Sequence, residues 1–484
     1  MKRMIFAFLF FSFASQAQTR NSNWAISDSI LLNFTIDSSF VSSSALHTTD
    51  IVNSFVEPMA TISDTSGQLL FYTNGFTIWN RNNEVMLNGD SLLCNFSVTN
   101  GVVIIPFPNS SSLYYIFYIN RLIGQGTDGI NYSIVDMNDD GGLGGVTIKN
   151  ISIIQGMDME KLSAVKHGNG RDWWLLSHDQ GLKFIKFLVT PIGVSDSSSQ
   201  TIGIIQDLIQ GEICFSRSGN KLGLVSGKSV EVYDFNRCNG TLSNLTQLDS
   251  TSDLGAPGYY GCSFSPDESK FYTSRFIGAS PQSDLYQFDL SNEDAASTKT
   301  LIWHSPTNNY VLGQHELALD GKIYIAMGYY LSPDATHYAA PNLNLSVINQ
   351  PDSLGLVCDF QQWSFYLGGK RTTLGLPNMP NYNLSALDGS VCDTLNLSVK
   401  DFKNEKTIVR VFPNPVADEL TVEVLNGIAP KQIEITNSLG QNVIRLKQTK
   451  PTALINIHSL PSGIYFIKVH LQNGELLAKK FIKQ

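Results

Sequence analysis

The sequence contains few charged residues, which make up only 15% of its 484 residues. Its formal net charge is −9, and no run of Lys and Arg forms a basic stripe. A protein that binds nucleic acid needs such a stripe to displace counterions from phosphate groups. The composition therefore argues against a nucleic-acid partner.

The sequence also lacks the short motifs that mark common catalytic and metal sites. It has no CxxC pair, no Cys and His cluster at zinc spacing, no HExxH, no GxSxG and no glycine-rich phosphate loop. Pairs of carboxylates that meet only in the folded protein are invisible at this level. From the sequence we expect no catalytic residue, no cofactor and no metal site.

Long apolar segments are missing as well, apart from one short run at the N-terminus. Two basic residues precede this run at residues 4–13, and Ser15 and Ala17 are small residues of the kind that signal peptidase reads. The run is too short to cross a bilayer, so we predict a signal peptide at residues 1–17 rather than a retained anchor. No later stretch reaches the length of a transmembrane helix, so the mature chain is expected to have no transmembrane segment.

Cysteine is scarce, with six residues in the chain. An even number in an exported protein permits disulfides, and six cysteines allow fifteen pairings among which the sequence cannot choose. We expect mostly buried cysteines together with one bridge, which we guess joins Cys358 to Cys392.

A repeated turn followed by an aromatic or branched strand is the main pattern that is present. Six copies recur at roughly 45 to 58 residues, which is the spacing of propeller blades. The copies begin at Ser66, Ser110, Asn169, Ser218, Asp267 and Asp320. The last three share the order strand, tight turn, strand, as the blades of a propeller do. Asp267 and Asp320 are expected to cap backbone N–H groups in these turns.

The repeats predict an all-β fold in which residues 18–395 form a six- or seven-bladed β-propeller, with seven favoured. Six blades have visible cores. The segments that begin at Asn23 and Trp363 are left over, and their meeting would close the ring and bury its edges. The alternative is a set of unrelated hairpins in a β-sandwich or a β-helix.

Several strings within this region carry a family resemblance. They are ISDTSGQLLFYTNGFTIWNRNNEVM from Ile62, the glycine-rich residues 139–146, AVKHGNGRDWWL from Ala164 and LGLPNMPNY from Leu374. They resemble a propeller family of secreted proteins from gliding, Bacteroidetes-type bacteria, over nearly all of residues 20–390. The resemblance implies a WD-like propeller and no particular activity.

The residue composition changes near the C-terminus, where a polar stretch at residues 396–408 is predicted to be a linker. Alternating apolar residues in LTVEV, IEIT and IYFIKV predict strands, and turn residues separate them. The prolines at 413 and 415 are typical of an edge strand. Residues 409–484 are therefore expected to form a small antiparallel β-sandwich.

This domain resembles the type A sorting domain of the type IX secretion system. The motif residues that carry the resemblance include Phe412, Asn437, Leu460, Ile464 and the basic end at residues 479–483. The residues that we assign to the sorting signal are Pro413, Asn414, Pro415, Leu439, Gly440, Pro461, Gly463, Tyr465, Lys479 and Lys480. The resemblance implies recognition by the outer-membrane translocon, usually with removal of the domain, and then surface attachment or release. An ordinary accessory sandwich is the alternative.

Three further patterns contain residue types that occur in metal or catalytic sites. DMNDDG at residues 136–141 matches the first half of a calcium loop, but its twelfth position is Thr147 rather than Glu, so a hairpin turn is expected. His167, Asp172 and His178 share one hairpin without a nucleophile motif. SDTSG at residues 63–67 only partly resembles the Asp-box turn of sialidases. None of these patterns predicts a site.

The sequence thus predicts a secreted or cell-surface propeller that is exported by the type IX system. We expect a non-enzymatic binding or adhesion module for a glycan or a protein, because propellers present recognition loops around a central channel. One alternative is an extracellular hydrolase or lyase with its site at the channel mouth, which converging carboxylates would favour. Another is a structural surface component linked to gliding.

Overall fold

The computed structural model describes residues 20–27, 29–34, 39–42, 57–120, 129–156, 159–205, 210–251, 258–277, 282–329, 338–393, 408–425, 429–437, 440–472 and 476–484. The chain divides into two compact units at Thr394 and Leu395. The predicted signal peptide at residues 1–17 lies outside the described residues. Across the described ranges, no helix is both long and apolar enough to cross a membrane.

The first unit is almost entirely β, and its described part contains seven antiparallel sheets whose strands follow one another in the chain. Sheet 1 contains β1 (Asn23–Ile26), β2 (Ile30–Phe34) and β3 (Ser39–Ser42). Sheet 2 contains β4 (Ala60–Ser63), β5 (Leu69–Thr73) and β6 (Ile78–Asn80). Sheet 3 contains β7 (Val102–Pro106), β8 (Leu113–Asn120), β9 (Gly129–Asp136) and β10 (Gly145–Gln155). Sheet 4 contains β11 (Met159–Lys166), β12 (Trp173–Asp179), β13 (Lys183–Thr190), β14 (Gly193–Val194) and β15 (Ser198–Thr201).

The remaining three sheets of this unit repeat the same four-stranded meander. Sheet 5 contains β16 (Ile213–Phe215), β17 (Lys221–Ser226), β18 (Ser229–Asn236) and β19 (Thr241–Ser250). Sheet 6 contains β20 (Tyr259–Phe264), β21 (Lys270–Ile277), β22 (Gln282–Asp289) and β23 (Thr300–His304). Sheet 7 contains β24 (Tyr310–Leu317), β25 (Ile323–Tyr329), β26 (Asn344–Ile348) and β27 (Phe360–Tyr366). The helical segments of the described chain are 3₁₀ turns at Asp140–Gly142, Ala295–Thr298 and Gly355–Cys358.

The tight turns between the first two strands of sheets 5, 6 and 7 have one backbone shape, as their sequences predict. Gly219, Glu268 and Gly321 occupy matching places with φ between 63° and 77°, a conformation that glycine adopts without strain. Asp267 accepts a hydrogen bond from the Ser269 N–H at 2.9 Å. Asp320 accepts one from the Lys322 N–H at 3.1 Å. The prediction that both aspartates cap these turns is confirmed.

Residues 372–382, which we name the crossing segment, follow the last strand of sheet 7 and run among the first strands of all the sheets. Pro377 forms a parallel bridge with Met59, which directly precedes β4. The Asn378 amide nitrogen donates to a β11 carbonyl at 2.7 Å. Its contacts, in chain order, are with Ser27 beside β1, Met59 beside β4, Ile104 of β7, Leu162 of β11, Arg217 in the turn after β16 and Gln314 of β24. Leu374 of the segment belongs to the same apolar cluster as Tyr260 of β20.

The two segments left over by the repeats contact each other, as expected. The Phe34 ring of β2 lies 6.5 Å from the Phe365 ring of β27 and 4.9 Å from the Tyr324 ring of β25. Trp24 of β1 meets the same tyrosine edge to face. These aromatic contacts join the first sheet of the unit to the last.

The disulfide corrects our guess, because Cys392 bonds to Cys238 and not to Cys358. After the crossing segment, the chain turns toward sheets 4 and 5, where the Leu387 N–H donates to the Gly168 carbonyl at 2.7 Å. This path carries Cys392 to the turn after β18. Cys358 stays a buried free thiol within an apolar cluster that sheets 6 and 7 share.

The second unit contains two antiparallel sheets in its described part. Sheet 8 has the order β28 (Ile408–Phe412), β29 (Glu419–Leu425), β32 (Thr452–Asn456). Sheet 9 has the order β31 (Asn442–Lys447), β30 (Pro430–Asn437), β33 (Gly463–Leu471), β34 (Leu476–Lys483). Alternate side chains of both sheets, such as Val422 and Ile467, enter one apolar cluster. The alternation predicted for LTVEV, IEIT and IYFIKV is therefore that of strands with one buried face.

Candidate functional site

The first unit holds a cavity of about 160 Å³ among the first strands of sheets 4 to 7 and the end of the crossing segment. Its polar lining includes Asn100, Glu212, His315, Glu316 and Asn378. Two thiols, Cys214 and Cys262, also line it. The cavity is large enough for several waters or one small organic ligand.

Glu212 lies in the wall of this cavity, at the start of β16, and is only 3% exposed. One carboxyl oxygen accepts hydrogen bonds from the N–H groups of Cys262 at 2.7 Å and His315 at 3.2 Å. The other oxygen faces the Asn100 amide nitrogen at 3.5 Å. Burial raises the pKa of Glu212 to about 8, and these hydrogen bonds offset only part of that effect. The carboxyl therefore joins the first strands of sheets 5, 6 and 7 while it stays mostly protonated at neutral pH.

His315 lines the same cavity from β24 and is 2% exposed. Neither ring nitrogen has a hydrogen-bond partner among the described residues. Burial lowers the pKa of His315 to about 3, so the imidazole is neutral at pH 7. A buried polar group without a partner is costly, and such groups concentrate at functional sites. His315 is thus a free donor and acceptor facing the cavity.

Glu316 follows His315 in β24 and lines the same cavity. Burial and the negative charge of Glu212 both raise the pKa of Glu316 well above its usual range. The two carboxyls therefore favour their neutral forms together. Apart from the guanidinium of Arg217, the polar groups of the lining named here are neutral acids, a neutral imidazole and two amides, which suit an uncharged ligand that forms hydrogen bonds.

A second group of buried polar side chains lies near the starts of the first strands. The Thr99 hydroxyl is 3.0 Å from a Glu57 oxygen, 3.4 Å from a Glu160 oxygen and 3.4 Å from the Tyr260 hydroxyl. All four side chains are buried. Burial and the Glu57 charge raise the pKa of Tyr260 well above its usual range. Carboxylates do converge inside the first unit, which is the observation that the hydrolase alternative requires.

The three patterns set aside in the sequence form local structure. Asn138 N–H donates to Asp136 at 2.9 Å in a turn after β9. Asp172 accepts from Arg171 and Asn169 instead of orienting a histidine. In SDTSG, Asp64 accepts from the N–H groups of Ser66 and Gln68.

In the second unit, separate stretches of the predicted sorting signal come together at one end. Asn414 accepts from the Ile482 N–H at 2.9 Å and donates to the Lys480 carbonyl at 3.3 Å. In the strand register, Tyr465 stands between Asn437 and Phe481. Its ring stacks on Phe481 at 5.6 Å. The fold therefore gathers residues that lie far apart in the sequence.

The predicted signal residues occupy the surface and turns of this end. Tyr465 is buried and donates to the Pro461 carbonyl at 2.8 Å. Gly440 has φ +78° in the turn after β30, and Gly463 pairs with Lys483. Leu439 lies outside the described residues. The exposed members are Pro413, Asn414, Pro415, Gly440, Pro461, Lys479 and Lys480.

Sequence reasoning missed the cavity residues because nothing local singles them out. Glu212 and His315 are 103 residues apart, and only the stacking of sheets brings them together. A charged residue directly before the short apolar strand β16 was the one available signal. Such a residue indicates a buried acid, but the sequence does not show which groups the acid contacts.

Comparison with known proteins identifies the second unit. Residues 410–484 match the family described as the secretion system C-terminal sorting domain. The resemblance found in the sequence is confirmed, and such a domain directs a protein to the cell surface or the outer membrane. Among curated protein sequences, the chain has no match.

Solved structures are similar only at low sequence identity. A proposed 6-phosphogluconolactonase from Bacteroides uniformis is 13% identical, with 73% of this chain and 98% of that chain covered and a TM-score of 0.44. PorZ, a surface component of the type-IX secretion system of Porphyromonas gingivalis, is 10% identical, with 95% and 80% covered and a TM-score of 0.30. The Cps50 (Swd1) β-propeller domain of Myceliophteria thermophila is 10% identical, with 65% and 95% covered and a TM-score of 0.37. At these TM-scores the similarities carry no argument about activity.

Replacing Glu212 with Gln should flatten the pH dependence of stability between about pH 4.5 and 8. The folded chain keeps a proton on Glu212 in this window while the unfolded chain loses it, so stability falls as pH rises. In the variant, the slope of the free energy of unfolding against pH should be smaller by up to about 1.4 kcal/mol per pH unit. Urea unfolding of both proteins across this range measures the difference. Glu293→Gln, at an exposed site, is the control, and equal slopes for wild type and Glu212→Gln would contradict the assignment.

Proposed function

We propose that this chain, which ends in a sorting domain of the type IX secretion system, is exported to the cell surface as a binding protein. Residues 1–17 serve as the signal peptide for the inner membrane, and cleavage follows Ala17. The sorting signal then passes residues 18–395 through the outer-membrane translocon. The observation that carries the export half of the proposal is the family match over residues 410–484.

The first unit is proposed to be a closed seven-bladed β-propeller, with each sheet as one blade. Two observations support closure. The crossing segment contacts a residue in or next to the first strand of six sheets and shares an apolar cluster with the first strand of sheet 6, as a chain on the axis of a ring would. Phe34 and Phe365 connect the first and last sheets directly. The second unit is proposed to be a β-sandwich, supported by the apolar cluster that its two sheets share.

The proposed ligand site is the cavity at one end of this axis, and the proposed ligand is the terminal sugar of a neutral glycan. The imidazole of His315 carries this part of the proposal, because it supplies hydrogen bonds that no group of the described residues uses. The neutral carboxyl of Glu212 and the amide of Asn378 add donors and acceptors for hydroxyl groups. The volume of the cavity suits one small ring rather than a protein surface.

A hydrolase is the second candidate, and a specific observation favours it. The raised pKa of Glu212 is the property that a general acid needs at neutral pH. Glu316 lies in the same cavity. An enzyme would release a cleaved sugar from a glycan that a binding protein leaves intact.

The sorting signal can be tested in a bacterium that has a type IX translocon. Deleting residues 409–484 should leave the first unit in the periplasm, and surface protease accessibility with immunoblotting measures its location. Substituting Lys479 and Lys480 together with Ala should reduce surface delivery several-fold, because both are exposed at the assembled signal. Exposed Lys447 and Lys450 provide the matched double-alanine control. Detection of the chain without residues 409–484 on the cell surface would refute the assignment of the sorting signal.

Ligand binding can be tested with the full chain on a glycan array, followed by calorimetric titration of the best neutral glycan. Replacing His315 with Ala should weaken binding at least tenfold, or about 1.4 kcal/mol, because its hydrogen bonds to the ligand are lost. His458→Ala, at an exposed site of the sorting domain, should leave the affinity unchanged. Unaltered affinity in the His315 variant would place the ligand elsewhere. Cleavage of the glycan, abolished by Glu212→Gln, would establish the hydrolase instead.

A further inference from the structure

We propose that Cys214 and Cys262 form a disulfide on oxidation, which links the first strands of sheets 5 and 6 beside the cavity. Their sulfur atoms lie 3.4 Å apart in the free-thiol state. A disulfide needs a separation of about 2.05 Å, so small side-chain rotations suffice. Strands β16 and β20, which carry the two residues, already contact each other.

The two sulfurs differ in access, which assigns them different roles. Both thiols line the cavity, but Cys214 is partly exposed whereas Cys262 is fully buried. The Cys214 sulfur packs closely against Gly223, since a Cβ atom added at this glycine would lie only 3.2 Å from the sulfur. A small reagent in the cavity therefore meets Cys214 first, and Cys262 is the thiol that resolves the product.

The environment of Cys262 fits this second role. Its thiol lies 3.8 Å from the Glu212 carbonyl. Burial, together with the neighbouring Cys214, raises the pKa of Cys262 well above its usual range. A protonated buried thiol is a poor first attacker on an external disulfide, but it can react with a sulfur already held beside it.

The reaction is a thiol–disulfide exchange with a small disulfide as the oxidant. The deprotonated Cys214 sulfur attacks one sulfur of the reagent, the reagent S–S bond breaks, and one reagent thiol leaves with the proton that Cys214 lost. The Cys262 sulfur then attacks the Cys214 sulfur and expels the second reagent half, which takes the Cys262 proton. Two protein thiols are oxidised to one disulfide, and one reagent disulfide is reduced to two thiols.

The other described free cysteines lack such a partner. Cys94 is buried and lies 3.6 Å and 3.8 Å from the carbonyls of Asn95 and Gly101. Cys358 is buried in the apolar cluster that sheets 6 and 7 share. The outside of the cell, where the sorting domain directs the chain, is an oxidising environment in which protein disulfides persist. The pair is therefore placed where its oxidation can occur, whatever the unit binds.

The test treats the full native chain with bis(2-hydroxyethyl) disulfide, then quenches, denatures, alkylates and digests it for mass spectrometry. The expected product is a peptide pair cross-linked through Cys214 and Cys262, while Cys94 and Cys358 are alkylated. The link should also raise the melting temperature by about 4 °C, because it closes a loop in the unfolded chain. Alkylation of both Cys214 and Cys262 after treatment would overturn the proposal, as would a reagent adduct on each without a link.

Variants separate the two roles. In Cys262→Ser the reagent should remain on Cys214 as a stable mixed disulfide, because no second thiol resolves it. In Cys214→Ser, Cys262 should stay unmodified. Cys94→Ser is the control and should form the Cys214–Cys262 link at the wild-type rate. An adduct on Cys262 in Cys214→Ser, or none on Cys214 in Cys262→Ser, would refute the assigned order of attack.

Discussion

Hydrogen bonding of the backbone groups along the first strands is the constraint on which the first unit depends. Buried N–H and C=O groups need partners, and the first strand of each sheet has a ladder partner on one side only. The crossing segment supplies several of the missing bonds. Gln314 shows this most clearly, since its N–H donates to the Leu374 carbonyl while its side-chain oxygen accepts from the Leu376 N–H. The crossing segment thus supplies hydrogen bonds that a neighbouring strand would supply within a sheet.

The same constraint explains why polar and titratable groups are found deep inside the unit. Glu212 accepts hydrogen bonds from the N–H groups of Cys262 and His315, each of which lies next to a register irregularity in its first strand. Asn378 does the equivalent for carbonyls of β11 and of Asn100. Desolvation then raises the pKa of Glu212 and lowers the pKa of His315, so both side chains favour their neutral forms. The properties that make the cavity chemically unusual are therefore a consequence of how the interior is satisfied.

The sequence predicted what depends on local patterns. The turn at Asp267 and the strand alternation at LTVEV follow from backbone preference and a single buried face, which neighbouring residues encode. The disulfide guess failed because the route of residues 383–393 is set by distant contacts such as Leu387 with Gly168. The cavity was missed for the same reason, since Glu212 and His315 meet only through the order of the sheets. The sorting signal was recognisable because its residue types are fixed by motif, although its assembly by Asn414 and Tyr465 required the fold.

Amide hydrogen exchange of residues 372–382 tests the central claim most directly. If the crossing segment completes the interior, its Leu376 and Asn378 amides should exchange as slowly as those of Val102, Val103, Ile104 and Ile105 in β7, because both open only with the unit as a whole. Exchange as fast as that of the exposed turn at residues 291–294 would contradict the account. It would mean that the segment lies on the surface and that the first strands find their partners elsewhere.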